Sequence, residues 1–257
     1  MELLLIAVVA AAASLITLFS GFGLGTILTP VFLLFFPLET AIALTGIVHL
    51  LNNLFKAVLL GRHTHWPTLL RFGVPSMLGA FLGAQLLHSL TLLPSVGSLT
   101  AGPMMFHFHP VKMVIALVMI VFALMELIPS LQPAAPSARL LPVGGLMSGF
   151  FGGLSGHQGA LRSAFLIRYG LGKEAFLATG IMIAVCVDLT RLSLYASNML
   201  GTDLLEHRTV LITATLSAFA GAYLGSTMLT KITHRTVQRI VAVMLILIAL
   251  GLGVGLL

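Results

Sequence analysis

Apolar residues fill this chain in long blocks, separated by short polar or glycine-rich intervals. Blocks of near-span length run over about 2–20, 40–60, 67–90, 111–128, 140–155, 174–197, 209–229 and 237–257. A helix needs roughly 20 apolar residues to cross a bilayer, so each block predicts one transmembrane helix. Two shorter apolar arms, at 26–37 and 160–170, follow glycine-rich turns. Helices of that length rise only roughly 17–18 Å, about half the hydrocarbon thickness. The arms are therefore expected to be broken or re-entrant helices. The pattern predicts an all-α polytopic membrane protein with about ten membrane elements: eight long transmembrane helices plus two short ones.

One motif introduces both arms. Ser20-Gly21-Phe22-Gly23-Leu24-Gly25-Thr26-Ile27-Leu28-Thr29-Pro30 returns as Leu154-Ser155-Gly156-His157-Gln158-Gly159-Ala160-Leu161-Arg162-Ser163-Ala164, a constant shift of 134 positions. The same shift carries Leu44-Thr45-Gly46 onto Ala178-Thr179-Gly180. Gly79-Ala80-Phe81-Leu82-Gly83 also resembles Gly221-Ala222-Tyr223-Leu224-Gly225. Both are small-xxx-small patterns that let helices approach closely, so their expected role is packing. Two membrane repeats follow, over 1–130 and 139–257, joined by a linker at 131–138 that contains Pro133 and Pro136.

Charge placement orients the repeats. If each arm changes the side of the chain, Arg62, Arg71, Arg139, Arg168, Lys173, Lys231, Arg235 and Arg239 share one side. Glu2, Glu39, Lys112, Asp203, Glu206 and Arg208 then share the other. If the arms do not cross, the positive residues divide almost evenly. Positive residues gather on the cytoplasmic side, which favours crossing arms. Five crossings per half is an odd number, so the repeats are inverted and both termini lie outside.

Composition narrows the class. The chain is 58% apolar and 8% charged, with a mean hydropathy of +1.11. Soluble domains carry about 25% charged residues, so little soluble domain is expected. A net charge of +6 with a pI near 10.1 would suit a nucleic-acid binder, but the positive residues are scattered between apolar blocks. The expected partner is the lipid bilayer, with no nucleic acid. Glu2 is the only early charge, so the first block reads as a retained span rather than a cleaved signal peptide. Cys186 is the single cysteine and reads as a small packing residue.

Glycine-broken segments in corresponding positions of two halves mark the binding site of repeat-built transporters. Each turn leaves backbone N–H groups free and opens onto a short helix, expected to begin at Thr26 and at Ala160. A helix N-terminus carries roughly half a positive charge, so two of them facing each other would hold an anion. The candidate ligands are Gly21, Gly23 and Gly25 in one turn, and Ser155, Gly156, His157, Gln158 and Gly159 in the other. Arg162, in the first turn of the second arm, can donate two parallel bonds to an oxyanion. Its plainer role would be to snorkel to the inner surface. Thr29 and Ser163 hold matched positions and offer hydroxyls to a ligand or to their own backbone.

Asp188 and Arg191 lie three apart on one helical face, either orienting the site or neutralising each other. His49, Asn52, Asn53 and Lys56 share another face. Asn52 and Asn53 are neutral donors for an anion or for a neighbouring helix, and Lys56 sits near enough to a helix end to snorkel. His157 titrates near neutral pH and could carry a coupling proton. His63, His65, His107 and His109 are expected in wet loops, and no metal site or cofactor is expected.

The paired glycine motifs, Pro30 after the first and the four-plus-four pattern of long spans resemble the TauE/SafE sulfite exporter family, also called the 4-toluene sulfonate uptake permease family. The resemblance covers essentially the whole chain. The second motif departs from the first, with His157-Gln158 and Arg162 where the first has Gly23-Leu24 and Leu28. The resemblance implies secondary transport of sulfite, sulfonates or related organosulfur anions across a bacterial inner membrane. Protons are a candidate coupling ion, and self-association is compatible with it. The alternative is a channel or metal-ion permease, which would want acids inside the spans. Only Asp188 and Glu126 qualify. Enzymatic activity is not expected: no nucleophile–base pair or Walker loop is present, and Gly21–Gly25 lacks a preceding strand.

Overall fold

A computed structural model describes residues 2–20, 23–101, 104–128, 138–167, 169–198, 206–227 and 234–256. Among these, ten helices carry the fold. They are α1 (Glu2–Ser20), α2 (Leu24–Leu33), α3 (Leu38–Leu60), α4 (Trp66–Thr91), α5 (Pro110–Leu127), α6 (Leu141–Ser155), α7 (Gly159–Ile167), α8 (Lys173–Asn198), α9 (Arg208–Thr227) and α10 (His234–Gly253). Four helical stretches are long and apolar enough by themselves to cross a membrane: Leu38–His63, Trp66–Thr91, Lys173–Ala196 and Arg208–Thr227. Shorter apolar stretches over Glu2–Thr17, Leu24–Leu33, Pro110–Met125 and Val241–Gly253 accompany them. Of the eight long spans expected, four reach that mark among the described residues.

Side chains are distributed as a lipid solvent demands. Val58, Leu78, Leu117, Leu216 and Leu247 are exposed, whereas Ser14, Thr45, His49, Asn52, Lys56, Asp188 and Arg191 are buried. Polar groups gather inside because unsatisfied polar groups facing hydrocarbon are costly.

The arms are short. With ten and nine residues, α2 and α7 rise roughly 15 and 14 Å, about half a bilayer. Both begin slightly earlier than the sequence predicts. Gly23, in an extended conformation, is the N-cap of α2, so the helix starts at Leu24 rather than Thr26. The second arm starts at Gly159 rather than Ala160. The first arm ends at Leu33, where the Leu34 and Phe35 amides bond back to Val31 and Phe32 in a tightened turn. Pro37 then caps α3.

Pro75 cannot donate to the helical ladder. The turn just before it, Leu69–Gly73, is widened into a π-helical turn within the otherwise continuous α4.

The interval 91–110 departs from the all-α expectation. Gly97–Ala101 and Met104–Phe108 form an antiparallel hairpin, with Gly97 opposite Phe108 and Ala101 opposite Met104. The backbone of His107 lies against Gly255, just past the end of α10.

Helix pairing follows a regular scheme. The main contacts are α4 with α6, α1 with α9, α5 with α10, and α3 with α8. Exchanging α1–α5 for α6–α10 maps the first pair onto the second and each of the last two onto itself. The α4–α6 seam is close-packed. A Cβ on Gly79 or Gly83 would meet the carbonyls of Leu146 or Phe150, and one on Gly145, Gly149 or Gly153 would meet those of Phe72, Ser76 or Ala80. Gly221 of α9 approaches Ala11 of α1 in the same way. The small-residue patterns are used for packing, as the sequence predicts.

Candidate functional site

The two glycine turns meet. Gly25, in the first turn of α2, lies against the Gly156 carbonyl, where a Cβ would sit 3.3 Å from that oxygen. Gly156 ends α6 in the left-handed conformation, at φ +81°, which glycine adopts without the penalty other residues incur. Gly21 lies outside the described residues. Gly23 leaves room for His49, whose Nε2 would be 3.2 Å from an added Cβ.

Arg191 of α8 is fully buried beneath the crossing. Its guanidinium lies against Gly46, and its Nη1 would be 3.1 Å from a Cβ on Gly156. Arg162 of α7 lies against Gly180 in the same manner, with Nε 3.4 Å from the Cβ position. The duplicated Thr-Gly pairs thus have a physical use: Gly46 and Gly180 each make space for a guanidinium.

Asp188 is the centre of a polar network. His49 Nδ1 lies 2.6 Å from its Oδ2. Arg191 Nε donates to Oδ1 at 2.9 Å, and Arg191 Nη2 lies 2.9 Å from the same oxygen. Gln158 Nε2 donates to Oδ1 at 3.4 Å. With His49 Nδ1–H donating to the carboxylate, Nε2 is left to accept from Asn53 Nδ2 at 3.3 Å. The Asp188–Arg191 pair anticipated from spacing is made, and it ties α8 to α3 and to the second turn.

A cleft opens beside this network, enclosing about 420 Å³ of non-protein space, its mouth included. Thr17, His49, Asn53, Lys56, Arg162 and Ser163 form its polar lining. Leu24, Leu166, Phe176, Leu177 and Ile181 form its apolar wall. A smaller recess, enclosing about 200 Å³ of non-protein space with its mouth included, lies against Thr26, Phe122, His157, Ala160 and Leu245. His157 stacks on Phe122, with ring centroids 5.9 Å apart, and its Nδ1 bonds the Ser155 carbonyl at 3.0 Å. Its Nε2 is buried with no protein partner. The Thr29 and Thr45 hydroxyls, Gln158 Oε1 and Arg191 Nη1 are likewise buried and unmatched. Buried polar groups are nearly always hydrogen-bonded, so these groups around one backbone crossing are available to ordered water or to a ligand.

Other predicted residues sit elsewhere. Asn52 faces Ser14 of α1 and the Ala218 carbonyl of α9, where it ties helices together. The Ser155 hydroxyl donates to the Phe151 carbonyl. Arg162 does not snorkel, being 6% exposed. Lys56 does not snorkel either: it is 4% exposed, donates to the Ser14 carbonyl at 3.3 Å and lines the cleft. Sequence reasoning left His49, Lys56 and Thr45 out of the site. The signal for Lys56 was present, since it shares a helical face with His49, Asn52 and Asn53. His63 pairs with Glu174 at 3.1 Å, partly exposed. Among the described residues, no group of three His, Cys, Asp or Glu side chains converges as a metal site would require.

Comparison with known families gives a match over nearly the whole chain. The family model described as sulfite exporter TauE/SafE matches residues 5–252. No curated protein matches the chain.

Proposed function

Because this chain belongs to the TauE/SafE sulfite exporter family, we propose that it is a secondary carrier of a small sulfur-containing anion, sulfite or an organosulfonate. It works by alternating access in a bacterial inner membrane. Family and apolar helices make it a multi-pass membrane protein. The remainder rests on one observation. Among the described buried side chains, Lys56, Arg162 and Arg191 stand against a single acid, Asp188. Ionisable groups inside a membrane are expensive, and an excess of buried positive charge favours an anionic occupant.

The anion enters the cleft and is held by Arg162 and Lys56, with Ser163 and Asn53 as neutral donors. The helix starts at Leu24 and Gly159 add their positive ends. Asp188 holds His49 and Arg191 in place rather than meeting the anion, which it would repel. Displacement of the Gly25–Gly156 crossing is the step that exposes the site to the other side. His157, presenting a bare ring nitrogen to the smaller recess, is placed to take up a coupling proton. The helix pairing supports reading 1–130 and 139–257 as inverted repeats around this crossing. A cation permease is the weaker reading, because both Asp188 oxygens are already engaged.

Sulfite flux into proteoliposomes tests the proposal. Flux should saturate with concentration and collapse in Arg162→Ala; undiminished flux in that variant refutes the site, and flux without saturation favours a channel.

A further inference from the structure

We infer that Lys56 takes a proton into the cleft together with the anion: a neutral amine in the empty site becomes an ammonium ion when an oxyanion binds. The inference rests on the carrier reading above and goes beyond it, placing a proton inside the anion's own site rather than on His157.

Lys56 stands on α3, buried, and lines the cleft. Its Nζ donates to the Ser14 carbonyl of α1 at 3.3 Å. With the Asn52 amide nitrogen turned toward the Ala218 carbonyl, Asn52 Oδ1 accepts from Nζ at 3.2 Å. These two acceptors match the two N–H bonds of a neutral amine. An ammonium ion has a third N–H, and among the described residues no further oxygen receives it and no carboxylate lies within ion-pair distance of Nζ. The charged or titratable neighbours in the cleft are Arg162 of α7 and His49 of α3. Arg162 is itself a cation, and its charge bears on Lys56. His49 is set differently: Asp188 Oδ2 stands 2.6 Å from its Nδ1, so a carboxylate already faces that ring. From α1 the cleft receives Thr17, and from α8 Phe176, Leu177, Gly180 and Ile181, none of them charged.

An ammonium ion held away from water without a counter-ion is costly. The same ion against an oxyanion makes a charge-assisted bond, roughly twice as strong as a neutral one. Proton and anion therefore stabilise each other, and by reciprocity each binds more tightly when the other is present. The proton comes from solvent at the mouth of the cleft or from the acid form of the anion itself, such as hydrogen sulfite. It adds to the Nζ lone pair, and no other bond changes. Departure of the anion reverses the step, so the proton leaves with it. A carrier built this way moves a proton with each anion, and a proton gradient drives the anion in the direction the proton falls.

Proton uptake on binding tests this. The purified full-length protein in detergent is mixed with sulfite or methanesulfonate in weakly buffered solution containing a pH indicator. The solution is alkaline enough that both anions are fully ionised, so a proton lost from it has gone to the protein. Whichever anion binds should take up about one proton with it, and its Kd should rise about tenfold per pH unit. Lys56→Arg, whose guanidinium keeps its proton throughout, should bind the anion without uptake and with little dependence on pH. Lys56→Met should also take up none, and should bind more than about tenfold more weakly. Anion binding without proton uptake in the wild type overturns the inference, with no variant needed, and leaves the carrier reading intact. So does uptake at the wild-type level in a folded Lys56→Arg or Lys56→Met protein, which puts the proton on another group. If neither anion binds at any pH, the carrier reading itself fails and the inference with it, a result separate from binding without a proton.

Discussion

Gly149→Ala sets two effects of opposite sign against each other. Alanine in place of glycine within a helix gains about 1 kcal/mol from propensity alone, which predicts a more stable protein. Gly149 lies on the α4–α6 seam, however, where a Cβ would strike the Ser76 carbonyl oxygen, with the Ser76 carbonyl carbon 2.6 Å away. The obstacle is backbone, so no rotamer change relieves it; the two helices must separate. Gly79, Gly83, Gly145 and Gly153 hold the same approach along the seam, so separation at one point loosens the others. Overpacking of this kind costs about 1–3 kcal/mol, and the rigid partner places this case at the upper end. The net expectation is a loss of about 1–2 kcal/mol, or roughly 2–8 °C in Tm for a chain of this size.

Gly61→Ala is the matched control. Gly61 has a helical φ of −59°, and the nearest atom to its added Cβ is 3.9 Å away. It should gain about 0.4–1 kcal/mol. The assay is thermal unfolding in detergent, followed by helical circular dichroism. A Gly149→Ala protein as stable as Gly61→Ala would refute the backbone contact proposed for the seam.

Three further outcomes follow from the geometry. Asp188→Asn removes the counter-charge of buried Arg191 and should cost about 3–5 kcal/mol; the loss shows as lowered Tm, partly restored by adding Arg191→Met. Gly156→Ala forces a side chain into left-handed backbone beside Arg191, a strain of about 1–2 kcal/mol; sulfite flux should fall while the protein still folds. Glu174→Gln breaks the partly exposed bond to His63, where such pairs contribute about 0–1 kcal/mol, so thermal unfolding should change little.

Most helix positions were legible because each long apolar block could only be a helix in lipid. Leu38–Leu60, Trp66–Thr91 and Lys173–Asn198 match their blocks within two residues at either end. Arm starts were misplaced by one or two residues, because the cap is set by the extended conformation of Gly23 and not by the last glycine of the motif. The hairpin at Gly97–Phe108 was missed because the interval was read only as a loop between two spans, and its strand pairing depends on contacts across the turn. Lys56 was misjudged because its distance from Leu60 suggested solvent. Nothing local shows that α1 reaches over it through the Ser14 carbonyl. The 134-residue shift correctly linked Thr45-Gly46 with Thr179-Gly180, but that both glycines make room for arginines depends on the folded crossing.

The pairing of α1 with α9 and of α4 with α6 has a topological consequence. Besides these pairs, α9 packs on α3, and α4 packs on α8. One packing group thus gathers α1, α2, α3 and α9; the other gathers α6, α7, α8 and α4. Each body has borrowed its fourth helix from the opposite half of the polypeptide. The chain passes from one group to the other at 61–65 and again between α8 and α9, so the two packing groups are interlaced rather than sequential. A polypeptide severed at the midpoint would yield two fragments, neither owning a complete body, that regain shape only by intertwining.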